Sequence, residues 1–431
     1  MKKTLVIIAS AGLLFVSACS PAGGPAATAP QTLTAAADPA ALGFSPERLA
    51  RLDSLGAGYV REGKAPQAVM LVARHGQIVY DKAFGWKDRE NGTPAGTDDI
   101  FRIASMSKAI VSVALMTLYE QGRFLLDDPL YAYLPEFREM TVLEHYDKAT
   151  GRYTVRPAKR PITIRHLLCH SSGISYGNPA YDEIYIPRTS TLEDISLEET
   201  VRRLATRPLN HDPGEKHTYG MSVDVIGRLI EVLSGQPLDR FLRQAVLDPL
   251  GMDDTWFYLP DDRRDRLVTL YSKRGAQGRL EPSDNRTEQS FPVAGPQKCL
   301  LGGAGLCSTI HDYARFCQML LNGGTFNGRR ILAPKTVETM TRYNQLAYND
   351  NPSLDYAWGL GFQIHTPADA ARTLTSVGEY GWSGMYGTYF GIDPQQDLFF
   401  ILFCNANPWH ERDIIKRYFH VAVYQALTEL Q

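Results

Sequence analysis

Residues 101–122 read FRIASMSKAIVSVALMTLYEQG, and this stretch decides how the rest of the chain is interpreted. Apolar residues occur on every side of its helical projection, so we predict a helix buried all round over Phe101–Gln121, with Gly122 as its stop. Ser105 and Lys108 are three residues apart near its start, so their side chains share one helix face. The stretch therefore places a hydroxyl beside an amine at the head of a buried helix.

That pair of side chains suits nucleophilic chemistry. A hydroxyl becomes a strong nucleophile when a neighbouring base removes its proton, and a lysine is such a base only when its surroundings lower its pKa. A buried helix supplies the desolvation, and the free N–H groups of its first turn suit a developing oxyanion. Ser-x-x-Lys alone is a short pattern that a chain of this size yields about once by chance, so further motifs are needed.

Two later triplets follow in a recognisable order. Tyr219-Gly220-Met221 precedes a predicted helix, and Trp382-Ser383-Gly384 precedes a predicted strand pair near the C-terminus. Together with Ser105-x-x-Lys108, they resemble the serine β-lactamase and penicillin-binding protein superfamily, whose pattern is Ser-x-x-Lys, Tyr-x-Asn or Ser-x-Asn, and Lys-Thr-Gly. The likeness covers nearly everything from about residue 45 to 425, and it indicates the class C-like, family VIII-type esterase branch. Supporting motifs are His166–Gly173, Pro249–Met252 and Gly302–Arg315.

The resemblance implies a role for each matching residue. Ser105 is the nucleophile, and Lys108 and Tyr219 share the role of proton acceptor, with the base left unassigned between them. The backbone N–H groups of Ser105 and Met385 form the oxyanion hole. No cofactor and no metal are implied. The substrate-binding residues are Trp382, Ser383, Gly384 and Met221.

Two departures from the family pattern bear on the substrate. Met221 replaces an Asn that contacts the side-chain amide of a β-lactam, and Trp382 replaces a Lys that helps to hold the substrate carboxylate. Without that cation, a carboxylate would enter a partly apolar site with no obvious partner, which is unfavourable. Trp382 offers an apolar wall and one N–H donor instead, so we expect a preference for neutral acyl esters.

Short apolar runs at both ends of the chain, with helical patterns between them, indicate the fold class. Residues 69–73 and 78–84, separated by His75-Gly76, predict a hairpin, and Leu398–Cys404 predicts a late strand. We predict an α/β fold with an antiparallel sheet flanked by helices and an inserted all-α domain, as in β-lactamases and DD-peptidases. The predicted sheet domain comprises residues 42–126 and 286–431, and the mainly helical insertion comprises residues 127–285.

The N-terminal residues have the pattern of a targeting segment. A basic Lys2-Lys3 pair precedes an apolar run over residues 5–16, which is shorter than the about 20 residues that cross a bilayer. The run ends in Val16-Ser17-Ala18-Cys19, which resembles the bacterial lipobox, although an ordinary cleavage site remains an alternative. We predict a lipoprotein signal peptide over residues 1–18, a lipid anchor on Cys19 and a flexible tether over residues 19–41. This places the protein on the periplasmic side of a bacterial cell envelope.

Composition and charge exclude other classes of protein. Lys and Arg total 45 against 47 Asp and Glu, a net charge of -2, which gives no basic footprint for nucleic acid. Hydrophobic residues make up 44% and charged residues 21%, as in folded globular proteins rather than disordered ones. We therefore expect no nucleic acid as a partner, whereas the small-molecule ester substrate is what the family resemblance implies.

Several other patterns in the chain compete with this interpretation. Gly173-Ile174-Ser175-Tyr176-Gly177 matches GxSxG, but that nucleophile elbow needs a strand before it and a helix after it. His166 and His170 have the i, i+4 spacing of a metal pair without a third ligand. The run Gly302–Gly305 lacks the preceding strand of a nucleotide loop. Cys299 and Cys307 allow a disulfide, which the sequence leaves open.

Two other functional classes stay open. A β-lactamase or D-Ala-directed peptidase or transpeptidase would use the same chemistry on a different acyl donor. A non-catalytic cell-wall binding protein would keep the fold alone, and the complete set of Ser105, Lys108 and Tyr219 argues against it.

Overall fold

The structure, a computed structural model, describes residues 32–178, 185–350 and 357–431. The strands in these ranges are β1 (Thr34–Ala35), β2 (Gln67–Arg74), β3 (Gln77–Asp88), β4 (Thr93–Pro94), β5 (Phe101–Arg102), β6 (Thr141–Tyr146), β7 (Tyr153–Pro157), β8 (Tyr271–Lys273), β9 (Glu281–Pro282), β10 (Cys307–Ser308), β11 (Thr325–Phe326), β12 (Arg329–Arg330), β13 (Ala357–Trp358), β14 (Gln363–Ile364), β15 (Tyr380–Ser383), β16 (Tyr389–Asp393), β17 (Leu398–Phe403) and β18 (Ala406–Trp409).

The helices of the same ranges lie at both ends of the chain and throughout its middle. A π-helical turn, Arg243–Leu247, separates two of them. They are α1 (Pro46–Arg61), α2 (Ser107–Glu120), α3 (Ile164–Leu168), α4 (Leu197–Ala205), α5 (Ser222–Ser234), α6 (Leu238–Leu242), α7 (Asp248–Leu250), α8 (Arg286–Ser290), α9 (Ile310–Leu321), α10 (Pro334–Thr341), α11 (Pro367–Ala370) and α12 (Arg412–Tyr424).

A mostly antiparallel sheet with the strand order β1-β3-β2-β17-β16-β15-β14-β13 forms the centre of the molecule, and β4 pairs with β3. Every residue of β2 and β17 is buried, because helices cover both faces of the sheet. Alternate side chains enter two different cores: Met70 and Phe400 pack with α1 and α12, whereas Leu71 and Ile401 pack with α2 and α9. This period of two is what an antiparallel sheet between helical layers requires, and it confirms the predicted fold class.

The stretch at residues 101–122 differs from its prediction at one end. Phe101–Arg102 is not helical but pairs with Cys307–Ser308, and the helix begins only at Ser107 after a 3₁₀ turn over Ala104–Met106. The remainder is a buried helix, as predicted, and it ends at Glu120. The shift matters because it puts the nucleophile candidate on the turn before the helix rather than inside it.

The predicted domain boundaries need one correction. Thr34–Ala35 pairs in parallel with β3, so the folded body begins within the predicted tether of residues 19–41 rather than at residue 42. The segment 127–285 contains α3 to α7, but it also contains the β6–β7 hairpin. Its strand Tyr271–Lys273 pairs with Ala406–Trp409, which ties the end of the insertion to the C-terminal part of the chain.

The predicted leader of residues 1–18 and the lipidation residue Cys19 lie outside the described residues. Among the residues that are described, no helix has the length and apolar character needed to cross a membrane.

Candidate active site

The backbone around Ser105 is held at the start of α2 by two other parts of the chain. The Ile103 N–H donates to the Leu306 carbonyl at 3.0 Å, and the Thr388 hydroxyl donates to the Ile103 carbonyl at 3.1 Å. Ala104, which follows, has a φ of 45°, an unfavourable conformation for a residue with a Cβ. This fixed and strained turn presents Ser105, which stays partly exposed while its neighbours are buried.

Lys108 is the buried cation of the site. Its Nζ donates to Ser105 Oγ at 3.2 Å, to the Tyr176 hydroxyl at 2.8 Å and to the Gly303 carbonyl at 2.6 Å. An ammonium group has three N–H donors, and these three oxygens accept all of them. The geometry therefore describes a protonated lysine.

The charged and polar groups around Lys108 also favour its protonated form. Burial lowers the pKa of this amine, but Tyr176, Tyr219 and Asp224 raise it by more, so its pKa lies above that of an ordinary lysine. Although the sequence left the base unassigned between Lys108 and Tyr219, it predicted that burial would lower the pKa of Lys108. That prediction is wrong for the resting site, because the negative and hydrogen-bonding groups around the amine outweigh its desolvation.

Tyr219 lies on the turn before α5, beside the same amine. Lys108 Nζ is 4.8 Å from the centroid of its ring, and its hydroxyl accepts a hydrogen bond from Trp382 Nε1 at 2.8 Å. Within the described residues its hydroxyl makes no hydrogen bond to Ser105 or Lys108. The structure thus brings all three predicted catalytic residues to one place, but the Tyr219 hydroxyl is bonded to Trp382.

Tyr176 is a second phenol at the site, and sequence reasoning missed it. It is the neighbour of Ser175, the serine of the GxSxG match. Of the two side-chain oxygens that accept from Lys108 Nζ, the Tyr176 hydroxyl is nearer than Ser105 Oγ. Burial raises the pKa of Tyr176 more than the Lys108 ammonium lowers it, so it remains a neutral phenol. Its local signal in the sequence is its place inside the Gly173-Ile174-Ser175-Tyr176-Gly177 match.

The end of β15 forms the wall opposite Lys108. A Cβ on Gly384 would collide with the Ile103 carbonyl oxygen and the Thr388 hydroxyl, so glycine is what lets this strand approach the Ser105 turn. In the described residues, neither the Ser105 N–H nor the Met385 N–H donates to a protein acceptor. Both groups are therefore free to bind an oxygen that gains negative charge.

An aromatic cluster surrounds the Tyr219 ring. Trp358 is fully buried, packs edge-on against Trp382 with ring centroids 4.5 Å apart, and was not predicted. His170 packs 4.6 Å from Tyr219, and burial lowers its pKa well below the usual value, so its imidazole is neutral. These rings fix Trp382 and Tyr219 and make one side of the site apolar.

Comparison with known proteins shows the family of this chain. A family model described as Beta-lactamase matches residues 52–425. The chain belongs to the beta-lactamase family. Esterase EstB of Burkholderia gladioli is 32% identical over 401 residues, covering 87% of this chain and 95% of that protein.

Solved structures give the same result for this member of the beta-lactamase family. EstCE1, described as a hydrolase with promiscuous acyltransferase activity, superposes with a TM-score of 0.74 at 27% identity and covers 89% of this chain and 99% of its own. Simvastatin synthase (LovD) from Aspergillus terreus superposes with a TM-score of 0.72 at 25% identity over 88% and 98% of the two chains. The predicted resemblance to the superfamily and its esterase branch is confirmed.

One predicted substrate-binding residue of this beta-lactamase family member does not line the site. The Met221 side chain is fully buried and belongs to the main hydrophobic core at the start of α5. Its backbone carbonyl accepts the N–H groups of Asp224 and Val225 at 3.0 and 3.3 Å. Met221 therefore packs the helix that follows Tyr219, and it has no exposed surface to offer a substrate.

The surroundings of Ser383 change the expectation that the site has no cation for a substrate carboxylate. The Lys416 ammonium on α12 lies 3.4 Å from Ser383 Oγ, so a cation is present near the predicted substrate-binding strand after all. Asp413 pairs with Lys416 at 2.8 Å and compensates its charge. A cavity of about 730 Å³ adjoins Trp382 and Ser383 on this side.

The competing motifs have structural roles instead. Ser175 lies in a loop and donates to the Gly177 carbonyl at 3.0 Å, without the strand and helix of a nucleophile elbow. The N–H of Thr163 donates to His166 Nδ1 at 3.1 Å, which caps α3. No group of three metal-ligating side chains suited to an ion occurs in residues 32–178, 185–350 and 357–431.

The glycine run and the cysteines are also resolved by the structure. No regular strand directly precedes Gly302–Gly305, and Gly303 packs against Lys108 and Asp224. Cys299 and Cys307 are both buried free thiols, so the disulfide that the sequence allowed is not formed.

Proposed function

We propose that this protein is a serine hydrolase that cleaves carboxylic esters through an acyl-enzyme on Ser105. The observation that carries the proposal is the 3.2 Å hydrogen bond from Lys108 Nζ to the partly exposed Ser105 Oγ. The beta-lactamase family match, and a relative named as an esterase, support the same class of reaction.

In the proposed acylation step, Ser105 Oγ attacks the ester carbonyl and its proton passes to the phenolate oxygen of Tyr219. The Lys108 ammonium and the Trp382 Nε1–H both face that phenol and stabilise negative charge on it. Catalytic hydrogen bonds are often longer in unliganded sites and tighten when substrate binds, so the separation of Tyr219 from Ser105 is compatible with this role. The carbonyl oxygen becomes an oxyanion held by the N–H groups of Ser105 and Met385.

In the proposed deacylation step, water attacks the acyl-enzyme carbonyl and gives its proton back through Tyr219. In the first step the ester C–O bond breaks and Tyr219 returns the serine proton to the leaving alkoxide, so the alcohol departs and Tyr219 is a phenolate again. In the second step one proton of water passes through Tyr219 to Ser105 Oγ as the acyl C–O bond breaks, so each turnover consumes one ester and one water. Lys108 keeps its proton throughout and holds Ser105 Oγ and Tyr176 in place.

The aromatic wall supports a preference for uncharged acyl esters. Trp382 presents apolar surface, the buried Trp358 ring packs behind it, and the nearby Lys416 is already paired with Asp413. A β-lactam or a D-Ala-terminated peptide carries a carboxylate. In this protein Trp382 replaces the Lys of the family's Lys-Thr-Gly motif that would bind that carboxylate, so these substrates are the second candidate.

Hydrolysis of p-nitrophenyl butyrate by the purified chain, with Ser105→Ala beside it, tests the proposal. Loss of at least about 10³-fold in kcat is expected for Ser105→Ala, because the nucleophile is removed. Ser175→Ala is the matched control, since that serine lies next to Tyr176 but bonds to its own loop, and it should keep wild-type activity. Faster turnover of a chromogenic cephalosporin than of the ester would favour the β-lactamase alternative.

We also propose that the enzyme is a lipoprotein anchored through Cys19 on the periplasmic side of the envelope. The lipobox-like sequence before Cys19 is its support. Fractionation of cells expressing Cys19→Ala should move the protein from the membrane to the soluble fraction, and unchanged membrane association would contradict the anchor.

A further inference from the structure

Asp224 is a buried carboxylate that the proposed mechanism does not use. It lies on α5, five residues after Tyr219, and is fully inaccessible to solvent. Its Oδ1 accepts the Gly303 N–H at 2.9 Å, whereas its Oδ2 has no hydrogen-bond partner. A buried carboxylate without full hydrogen bonding is costly unless an opposite charge lies close by.

Gly303 connects this carboxylate to the catalytic lysine. Its N–H binds Asp224 and its carbonyl accepts from Lys108 Nζ at 2.6 Å, so one residue is held by both side chains. A Cβ at this position would lie 2.5 Å from Asp224 Oδ2. Position 303 must therefore be glycine, because a larger residue would push the Asp224 carboxylate away from this N–H and from Lys108.

Four other titratable groups lie near this pair: His170, Cys299, Tyr176 and Tyr219. The His170 imidazole is neutral because burial lowers its pKa well below the usual value, and burial raises the pKa of the Cys299 thiol to about 12. Tyr176 is a neutral phenol bonded to Lys108 Nζ at 2.8 Å, and Tyr219, the proposed proton acceptor, has its ring centroid 4.8 Å from the same nitrogen. Burial raises the pKa of Asp224 to about 6, while Lys108 and the Gly303 N–H favour its ionised form, so it is a carboxylate at neutral pH.

We propose that Asp224 is the counter-charge of Lys108 and, through Gly303, a positioning residue that sets the pH range in which Ser105 reacts. This inference rests on the proposed function. A negative charge close to a proton-binding group makes that group hold its proton to higher pH. Asp224 thereby keeps Lys108 an ammonium that donates to Ser105 and Tyr176 over the working pH range.

Asp224→Asn tests the proposal, because Asn keeps the size and the acceptor for the Gly303 N–H but removes the charge. The rate of Ser105 labelling by a fluorophosphonate and kcat/KM for p-nitrophenyl butyrate are measured from pH 5 to 10. Removing the charge should move both limbs of the profile to lower pH by about one unit. The midpoint of the alkaline limb, which Lys108 sets, should lie about one pH unit lower in the variant than in the wild type.

Asp312→Asn is the matched control, since Asp312 is also a buried carboxylate but binds Thr255 and the Asp254 N–H away from Lys108. Its pH profile should equal that of the wild type. A profile for Asp224→Asn that is unmoved, or moved to higher pH, overturns the proposal even if the overall rate falls, because a purely structural role changes rate without moving the profile.

Two further measurements distinguish failure of the Asp224 proposal from failure of the proposed function. If Asp224→Asn does not fold, Gly303→Ala displaces the carboxylate instead, and its profile should shift in the same direction; an unmoved profile overturns the proposal. If the wild type is not labelled at Ser105 at all, the proposed function fails. Ser105-dependent labelling with an unmoved Asp224→Asn profile refutes only the role of Asp224.

Discussion

Replacing the two phenols at the site one at a time separates the proton carrier from the residue that holds the lysine. Tyr219→Phe keeps the ring beside Lys108 but removes the oxygen that Trp382 Nε1–H binds at 2.8 Å. Tyr176→Phe keeps the second ring but removes the oxygen that accepts from Lys108 Nζ at 2.8 Å. Both variants delete one hydroxyl, so any difference between them reflects the role of that hydroxyl.

The expected losses differ in size. General acid–base catalysis by a positioned side chain contributes about 10²–10⁴-fold, so Tyr219→Phe should lower kcat by that range. Tyr176→Phe leaves one ammonium N–H of Lys108 buried without an acceptor, which costs about 1–3 kcal/mol. That cost corresponds to roughly a 5- to 150-fold loss if it falls on the transition state alone.

The assay is the burst and steady-state hydrolysis of p-nitrophenyl butyrate, which separates acylation from deacylation. Tyr80→Phe is the control, because the Tyr80 hydroxyl donates to Asp53 at 2.6 Å in the core beneath α1. Removing that hydroxyl should leave kcat unchanged. A Tyr176→Phe variant as slow as Tyr219→Phe, or slower, would refute the assignment and make Tyr176 the proton carrier.

Three further predictions concern specificity, stability and pH. Trp382→Lys should raise the ratio of kcat/KM for a carboxylate-bearing ester to that for a neutral ester by about tenfold, since it adds a cation to an apolar wall; an unchanged ratio contradicts the specificity argument. Phe400→Ala should lower the free energy of unfolding by about 3–5 kcal/mol in urea titrations, because this ring is fully buried in β17, and a loss below 1 kcal/mol would be inconsistent with that core. Burial lowers the pKa of His166 to about 4, so the stability from its neutral form is complete above pH 6.5 and is lost as the pH falls towards 4. That loss is on the order of 3 kcal/mol, and His166→Asn should show a correspondingly weaker pH dependence of unfolding.

The strands and helices with a clear hydrophobic period were predictable from sequence. The β2–β3 hairpin and the late strand β17 lie where the patterns placed them. The strand Phe101–Arg102 was missed because its two residues pair with a segment about 200 residues away, and the adjoining sequence has a helical pattern. Pairing over such a distance leaves no local signal.

The site was predictable only where family motifs mark it. Ser105, Lys108, Tyr219 and Trp382 lie together as the resemblance implied. Met221 was misplaced, because a triplet pattern does not show which of its side chains turns into the core.

Other residues of the site were missed because tertiary packing brings them together. Tyr176, Trp358, Asp224 and Lys416 come from one loop, one strand and two helices whose proximity no single segment encodes. The predicted lowering of the Lys108 pKa was wrong for the same reason, because Asp224 and Tyr176, which raise this pKa, are remote in sequence from the Ser-x-x-Lys motif.

Mapping the covalent adduct tests the acyl-enzyme most directly. The purified protein is treated with a fluorophosphonate, its intact mass is measured, and the modified peptide is identified by mass spectrometry. We predict one adduct per chain, carried by Ser105 and absent from Ser105→Ala. An adduct on Ser175, or an unmodified protein that still hydrolyses esters, would contradict a reaction through Ser105.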